Sequence, residues 1–401
     1  MSKLNSTQGK IVLGIGHMAG MVDLAALPLW ISALMQDYHL LPQQAGLTVT
    51  LFLVGIVISS IILSPKYTRL NHRYIAALGF AVASVSFFAA SKLSVISESF
   101  PMLVALHVIA GLGAGAALSS VHGTIGKTDN PHRLFGLVNV ALGALAIALF
   151  ALLPQATKQI GGMAIFIAFF VLMACASVVM LFFFPKGSGE ATYRSEGEKA
   201  ANKASKQILS RPAVWMFICV VSCLTLNQAM VFSFVDRIGD LHNFDRKQVE
   251  TVLIVMGVIN LTPGLVASLL QKRLSPISVA IAGPCLQALF ALSITHAASY
   301  FPLYAVPVAF YVTLVIFTHT FVFGLLAKID PTGRAVAATP AMMMIGSAIG
   351  PLLGGVIVAT VGYQGLAWAV VIISCIAVTL VIKAQSLLKE KDVNVSEPRI
   401  A

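Results

Sequence analysis

Apolar stretches of about twenty residues follow one another along almost the whole chain, separated by short polar connections. A helix of about 20 apolar residues crosses the hydrocarbon core of a bilayer, and the alternating pattern of a membrane β-strand is absent. The pattern therefore predicts an all-α integral membrane protein with twelve transmembrane helices. The approximate spans are 10–36, 43–64, 74–92, 101–126, 134–154, 161–184, 213–236, 247–270, 277–296, 302–327, 335–360 and 363–384.

One long polar connection separates the first six spans from the last six. Residues 187–212, rich in Gly, Ser, Lys and Glu, predict a linker loop between two six-helix bundles, residues 1–186 and 213–384. Residues 385–401 are polar and predict a mobile tail outside the membrane.

Short polar segments recur at an offset of about half the chain. Asp37-Tyr-His39 returns as Asp240-Leu-His242, and the segment 127–133 returns in similar form as 328–334. A shared offset near 200 residues predicts that the two bundles are pseudo-symmetric repeats.

Composition and charge support a membrane protein. The 401 residues are 58% hydrophobic and only 10% charged, whereas a soluble domain carries about 25% charged residues. The first apolar run is too long for the core of a cleaved signal, so we expect it to remain as a helix. The net charge of +11 arises from loops between apolar spans, which argues against nucleic-acid binding.

The basic residues also predict the orientation, because positive loops stay in the cytoplasm. Most of the 26 Lys and Arg residues lie on the side of the termini. The five on the other side are Lys92, Lys158, Arg237, Arg246 and Lys247. We therefore expect a multi-pass protein of a bacterial inner membrane with both termini cytoplasmic. No Lys or Arg is expected in the membrane core.

Asp23 is the one acidic residue that the pattern places deep in a span. An ionised carboxylate at that depth costs at least a few kcal/mol, and a carboxyl group in apolar surroundings exchanges protons more readily near neutral pH than an exposed one. We interpret Asp23 as a proton-coupling and substrate-binding residue; a structural Asp that only joins helices is the alternative. Gly16 and Gly20 lie on the same helical face and predict close approach of a neighbouring helix.

Other polar residues fall near the centres of later spans. Asn227 and Gln228 lie at the repeat-equivalent depth of Asp23, and Asn260 is central in the eighth span. We predict that they bind substrate together with Tyr311, although amides also join helices. Four histidines, His17, His107, His122 and His319, fall within spans but lack metal-ligand spacing. The five cysteines lie in apolar runs, and neither a metal site nor a cofactor site is expected.

Three local segments resemble motifs of the major facilitator superfamily. The loop Ser64-Pro-Lys66-Tyr-Thr68-Arg69-Leu-Asn71-His72-Arg73 is similar to its Gly-x-x-x-Asp-Arg-x-Gly-Arg-Lys loop, with Thr68 in place of Asp. Span 4 carries His107-Val-Ile-Ala-Gly111-Leu-Gly113-Ala-Gly115, similar to Arg-x-x-x-Gly-x-Gly-x-Gly. Span 11 carries Gly346-Ser-Ala-Ile-Gly350-Pro351-Leu-Leu-Gly354-Gly355, which matches the family's Gly-x-x-x-Gly-Pro-x-x-Gly-Gly.

The resemblance covers the whole chain and implies the two-bundle fold of that family, acting as a monomer. It implies gating roles for Arg69, Arg73, Gly350, Pro351 and Gly354. It also implies proton coupling through His107, which stands where the family has an arginine. The glycine–proline motif is associated with exporters when it lies in span 5; here it lies in span 11, so the direction of transport stays open.

These observations favour a proton-coupled secondary transporter of a small organic solute over an enzyme. No nucleophile triad, carboxylate pair or phosphate loop is apparent, so neither catalysis nor ATP-driven pumping is expected. Without fixed positive charge at depth, efflux of a neutral, cationic or amphiphilic compound fits best. The alternatives are a proton symporter that imports a nutrient or monocarboxylate and, more remotely, a membrane receptor or assembly factor that transports nothing.

Overall fold

The computed structural model describes residues 3–63, 71–93, 99–125, 127–129, 131–185, 212–297, 300–329 and 339–396. These residues form fifteen helices, α1 to α15 in chain order. The first seven are Thr7–Gly20, Val22–Gln36, Pro42–Leu63, His72–Ser91, Phe100–Ile125, Pro131–Ile160 and Met163–Phe183. The other eight are Pro212–Phe232, Val235–Leu241, Arg246–Ile259, Pro263–Leu270, Pro276–Thr295, Phe301–Ile329, Thr339–Val361 and Gln364–Ser396.

The helical prediction is confirmed for the described residues. Eleven of their helical segments, with α1 and α2 taken together as the first, are long and apolar enough to cross a membrane. The predicted eighth span is the exception, because it is divided into the short helices α10 and α11. We refer to the side on which α1 begins as the terminal face and to the side on which α2 ends as the opposite face.

The apolar pattern predicted one continuous helix for the first span, but the structure divides it into α1 and α2. It breaks at Met21, whose φ of −112° and ψ of 27° leave the helical region. The N–H of Met21 still bonds to the carbonyl of His17, and α2 then starts at Val22. Asp23 therefore lies in the first turn of a helix rather than in the middle of one, where unpaired backbone N–H groups are available to an acidic side chain.

The eighth span breaks at residues 260–262, so the prediction of one helix there was wrong. Asn260 ends α10 and Pro263 begins α11. Proline lacks the N–H that a continuing helix needs, and its ring clashes with the carbonyl four residues earlier. The hydroxyl of Thr262 bonds to the carbonyl of Ile259 and occupies one of the freed acceptors.

The last helix extends beyond its predicted end. The structure continues α15 to Ser396, whereas the sequence predicted a polar tail from residue 385. The added segment contains Lys and Glu, which favour helices as strongly as most apolar residues do. The change from apolar to polar residues at 385 therefore did not mark the end of the helix.

The two halves repeat each other in local backbone geometry. The turn after α6 contains Gly161 with φ +71°, and the turn after α14 contains Gly362 with φ +80°. Both positions need the left-handed conformation that glycine adopts without steric cost. They are 201 residues apart, the same offset as between the loops 127–133 and 328–334, which supports the predicted repeat.

The halves meet along two lateral helix pairs. On one side α3 lies against α14, and on the other α6 lies against α10. At the first pair, a Cβ atom added to Gly46 would lie 2.1 Å from the carbonyl oxygen of Pro351, and one added to Gly355 would lie 2.3 Å from that of Pro42. These backbones are in direct contact near the opposite face, so the halves are closed against each other there.

Candidate functional site

Asp23 is buried at the break in the first span. Its side chain is 5% exposed, and among the described residues its Oδ1 has no hydrogen-bond partner. As a first-turn residue of α2, Asp23 lies beside backbone N–H groups that have no partner within the helix. Helix N-termini stabilise negative charge, yet Oδ1 is left with unused hydrogen-bonding capacity. A buried polar atom in that state is available to a proton or a solute.

The predicted close approach at Gly16 and Gly20 is confirmed. A Cβ atom at Gly16 would lie 2.7 Å from Val121 Cγ2, and one at Gly20 would lie 2.6 Å from Leu118 Cδ1. Both partners belong to α5, the fourth span. This packing fixes the segment just before the break and with it the position of Asp23.

Two of the four histidines form a pair in the same half. His17 Nδ1 lies 2.9 Å from His122 Nε2, and their ring centroids are 5.1 Å apart. Phe135 packs edge-on against His122. The pair joins α1 to α5 on the terminal-face side of Asp23. His319, in the other half, packs against Phe323 with a centroid distance of 4.8 Å and an interplanar angle of 32°.

His107 lies in an aromatic cluster. It is fully buried, and Trp30, Phe87 and Phe166 surround it at centroid distances of 5.4 to 5.8 Å. Its Nδ1 bonds to the carbonyl of Leu103 at 2.7 Å. These contacts favour a packing role, and the proton-coupling role taken from the resemblance stays a prediction. Trp30 is also fully buried.

Asn227 faces into the core of the second half. Its Nδ2 donates to Gln287 Oε1 and to Ser374 Oγ, each at 3.2 Å. Gln287 in turn donates to the carbonyl of Leu224, and the hydroxyl of Tyr311 donates to the carbonyl of Asn227 at 3.3 Å. In this structure Asn227 and Tyr311 therefore join α8 to the helices around it. Gln228, one residue on, is half-buried, and its substrate-binding role stays a prediction.

Asn260 has a clear local role at the helix break. It ends α10, and its Oδ1 accepts a hydrogen bond from the hydroxyl of Thr313 on α13. The bond connects the interrupted eighth span to the tenth. The sequence predicted a residue in the middle of a continuous helix. That prediction was wrong, because Asn260 lies at the end of α10. Contact with a substrate stays a prediction.

The predicted gating residues lie in two places. Arg73 donates through Nε to the carbonyl of Leu181 and so fastens the start of α4 to the end of α7. Arg69 lies outside the described residues. The role of either in gating stays a prediction.

The glycine–proline motif of α14 packs on two sides. A Cβ atom at Gly350 would lie 2.5 Å from Ala229 Cβ, and one at Gly354 would lie 2.9 Å from Phe234 Cε2, both in the second half. The carbonyl of Pro351 instead touches Gly46 of the first half. The motif thus allows one helix to pack closely within its own half and across to the other. The contact across the halves favours a gating role for Pro351, whereas the contacts of Gly350 and Gly354 favour packing within the second half. The gating role of all three stays a prediction.

A charged network at the opposite face was missed by the sequence interpretation. Arg246 Nη1 lies 2.9 Å from Asp236 Oδ1 and 3.4 Å from Asp240 Oδ1, while its Nε lies 3.2 Å from Glu250 Oε1. Arg237 adds a 3.0 Å pair with Asp240. Asp236 is fully buried, although it is the last residue of the predicted seventh span, where an acidic side chain is expected to reach water.

A cavity of about 270 Å³ adjoins this network. Its lining includes Gln36, Lys158, Asp240, Arg246 and Glu250, contributed by both halves. Burial, and next the charge of Asp236, raise the pKa of Asp240, while Arg246 and Arg237 act in the other direction. One signal was present in the sequence: Ser32 and Gln36 are four residues apart, as are Asp236 and Asp240. Each pair therefore lies on one helical face.

Comparison with known proteins identifies the family. The sequence profile of the Major Facilitator Superfamily matches residues 13–339. The chain belongs to the major facilitator superfamily. It is accordingly a multi-pass membrane transporter and not an enzyme, and the resemblance seen in its motifs is confirmed.

A curated relative and three solved structures agree with this assignment. The "Uncharacterized MFS-type transporter YceJ" of Bacillus subtilis (strain 168) is 23% identical over 338 residues, which are 80% of this chain and 82% of that protein. A point mutant of the nucleoside transporter NupG superposes with a TM-score of 0.70 at 13% identity, covering 95% of this chain and 98% of that one. The D-xylose-proton symporter gives a TM-score of 0.69 at 15% identity, covering 94% and 96%.

The third structure is a bacterial homologue of the human lysosomal transporter Spinster, described as inward-facing and unoccupied. It superposes with a TM-score of 0.66 at 12% identity and covers 96% of each chain. At these identities the solved structures show the shared fold. The fold and the family together make secondary transport of small molecules the activity of this chain.

Proposed function

We propose that this transporter couples movement of a small organic solute to movement of protons, with Asp23 as the coupling residue. The observation that carries the proposal is the buried carboxyl group at the break of the first span, whose Oδ1 has no partner among the described residues. A permanently charged carboxylate would be costly there. A carboxyl group that gains and loses a proton in each cycle explains both its burial and its free oxygen.

The loop charges support an orientation in which the termini are cytoplasmic. The opposite face is then the outer face, and the contacts between α3 and α14 close the protein toward the outside. A central site would be reached from the cytoplasm in this conformation. Rocking of the two halves would expose it to the other side.

We propose that the solute is neutral, cationic or amphiphilic and that it leaves the cell. Binding a strongly anionic solute needs fixed positive charge. The sequence predicts no Lys or Arg in the interiors of the spans. The unpaired oxygen of Asp23 suits a donor group or a cation on the solute instead. Gln228, half-buried on α8, makes no side-chain hydrogen bond among the described residues, so it can bind a solute without giving up an existing contact.

The test uses the full-length protein in liposomes. A thermal-shift screen first finds a solute that raises the unfolding temperature, as any ligand of the folded state does. Solute is then added to liposomes that contain a fluorescent pH indicator, and the internal pH is followed. Coupled transport predicts that solute movement by the wild-type protein changes the internal pH. Solute movement by Asp23→Asn should leave the internal pH unchanged.

The matched control is Asp245→Asn. This exposed aspartate caps α10 by accepting from the N–H groups of Lys247 and Gln248, and asparagine caps a helix equally well. Proton movement should be unchanged in the control. Solute-linked proton movement that persists in Asp23→Asn would remove Asp23 from the mechanism. The direction of the pH gradient that accelerates solute release from the liposomes distinguishes export from import.

A further inference from the structure

Three donors of the first half meet three carboxylates of the second half at the opposite face. Ser32 Oγ donates to Asp236 Oδ2 at 2.5 Å, and Gln36 Nε2 donates to Asp240 Oδ2 at 2.7 Å. Lys158 Nζ lies 3.9 Å from Glu250 Oε1. Every donor belongs to the first half and every acceptor to the second. Separation of the halves on this side would remove one partner from each carboxylate.

The carboxylates are held together by Arg246. It pairs with Asp236, Asp240 and Glu250 through two of its nitrogen atoms, at 2.9 to 3.4 Å. Without this cation, three negative charges around a buried position would repel one another. Arg246 makes no hydrogen bond to the first half in the described residues, so it acts on the interface only by presenting the carboxylates.

The contacts lie on the pseudo-symmetry axis of the molecule. Ser32 and Asp236 are 204 residues apart, and so are Gln36 and Asp240. This separation is within one residue of the 203 that separates Asp37 from Asp240, the repeated pair at the ends of the same two spans. Contacts between equivalent positions of two repeats occur where the symmetry axis passes between them. The ends of the first and seventh spans therefore meet at the axis, between the two lateral helix pairs.

We propose that Ser32 and Gln36, together with Asp236 and Asp240, form a latch that holds the opposite face closed, and that Arg246 is its positioning residue. Release of the latch is required each time the protein opens on that side. The inference goes beyond proton coupling, because it concerns the equilibrium between closed and open states and does not involve Asp23.

The experiment measures that equilibrium directly by distances between spin labels. Leu41 and Leu241 are exposed at the opposite face, one in each half, and Leu41→Cys/Leu241→Cys carries the first label pair. Lys10→Cys/Lys272→Cys carries a second pair at the terminal face. Both are made in full-length protein whose native cysteines are replaced. These are Cys175, Cys219, Cys223, Cys285 and Cys375.

The first variant is Ser32→Ala, which removes the donor to the buried carboxylate of Asp236 and changes little else. Hydrogen bonds to charged groups are strong enough to shift an equilibrium about tenfold or more. We expect the ratio of long to short distances at the opposite face to rise by at least about that factor, while distances at the terminal face shorten. An unchanged distance distribution in Ser32→Ala would overturn the latch.

The matched control is Ser233→Ala. Ser233 is equally buried, lies directly after α8, and donates only to the carbonyl of Ala229 in that helix. It lies three residues from Asp236 but contributes nothing across the interface. The distances between spin labels in Ser233→Ala should equal those in the labelled protein without this substitution. An equal shift in this control would mean that loss of any buried hydroxyl loosens the region, which would also overturn the proposal.

Arg246→Gln tests the positioning role. If Arg246 holds Asp236 in place for Ser32, Ser32→Ala and Arg246→Gln remove the same interaction. The shifts in distance will then not add in the double variant. Independent, additive shifts would show that Arg246 does not position the latch. Asp23→Asn should leave all distances at the opposite face unchanged, so failure of the latch and failure of proton coupling are distinguishable.

Discussion

The closed opposite face depends on glycine at the crossing of α3 and α14, and Gly46→Ala tests this. The added methyl group would lie 2.1 Å from the carbonyl oxygen of Pro351 and 3.0 Å from Leu352 Cα. Both obstacles are backbone atoms, so no side-chain rotation relieves the contact. The two helices must separate by about 1 Å or more, and overpacking of this kind costs about 1–3 kcal/mol.

This cost falls on one conformation only. Alanine also favours the helix by about 1 kcal/mol over glycine, but α3 is helical whether the face is open or closed, so that gain cancels from the equilibrium. The remaining 1–3 kcal/mol corresponds to about a 5- to 150-fold shift toward the open state. Spin labels at Leu41→Cys and Leu241→Cys measure the shift.

Two other glycines serve as controls. A Cβ atom at Gly350 would lie 2.5 Å from Ala229 Cβ, but that contact is internal to the second half. Gly350→Ala should therefore lower the unfolding temperature and leave the distances unchanged. Gly324 has no atom within 4 Å of such a Cβ, so Gly324→Ala should be neutral or stabilising. Equal distances in Gly46→Ala and wild type, or an equal shift in Gly350→Ala, would refute the reasoning.

Three further substitutions separate packing roles from transport roles. His107→Phe keeps the aromatic packing and loses the bond to Leu103, so we expect slightly lower thermal stability and retained pH-gradient-driven transport; loss of that transport in a folded variant would restore the coupling role. Asn227→Ala leaves Gln287 and Ser374 without their donor. Because each such bond contributes about 0.6 kcal/mol, the variant should be less stable by about 1–2 kcal/mol, and its KM for the solute should be unchanged. Gln228→Ala should leave thermal stability unchanged and raise KM; an unchanged KM would remove it from the substrate site.

The sequence was sufficient for the overall architecture because long apolar runs leave few alternatives in a membrane. Backbone groups in hydrocarbon must be paired, so each run had to be a helix. The repeat was visible because its polar loops recur at one offset. The breaks at Met21 and at residues 260–262 were harder to foresee, since an apolar run shows no interruption where a helix stops and restarts within protein.

The candidate site was only partly predictable, for a related reason. Depth along a span can be counted from the sequence, so Asp23 was placed correctly as a buried acid. The direction of a side chain around a helix cannot be counted in the same way, because tertiary packing decides which face meets a cavity and which meets a neighbouring helix. Asn227 and His107 were correctly placed within their spans, yet they face packed cores in their own halves.

The network around Arg246 was missed because acids near the ends of spans usually face water. Asp236 is instead fully buried between the halves, and the burial arises from a partner segment about 200 residues away. Only the docking of the two bundles creates this environment. The i, i+4 polar pairs in the first and seventh spans were its one trace in the sequence.

The most direct measurement of the central claim compares two modes of transport in Asp23→Asn. Exchange of labelled for unlabelled solute across liposomes, without any gradient, requires only that the halves rock. Accumulation against a solute gradient, driven by an imposed pH difference, requires coupling as well. The account predicts that Asp23→Asn retains exchange and loses accumulation. Accumulation at the wild-type rate in this variant would contradict it.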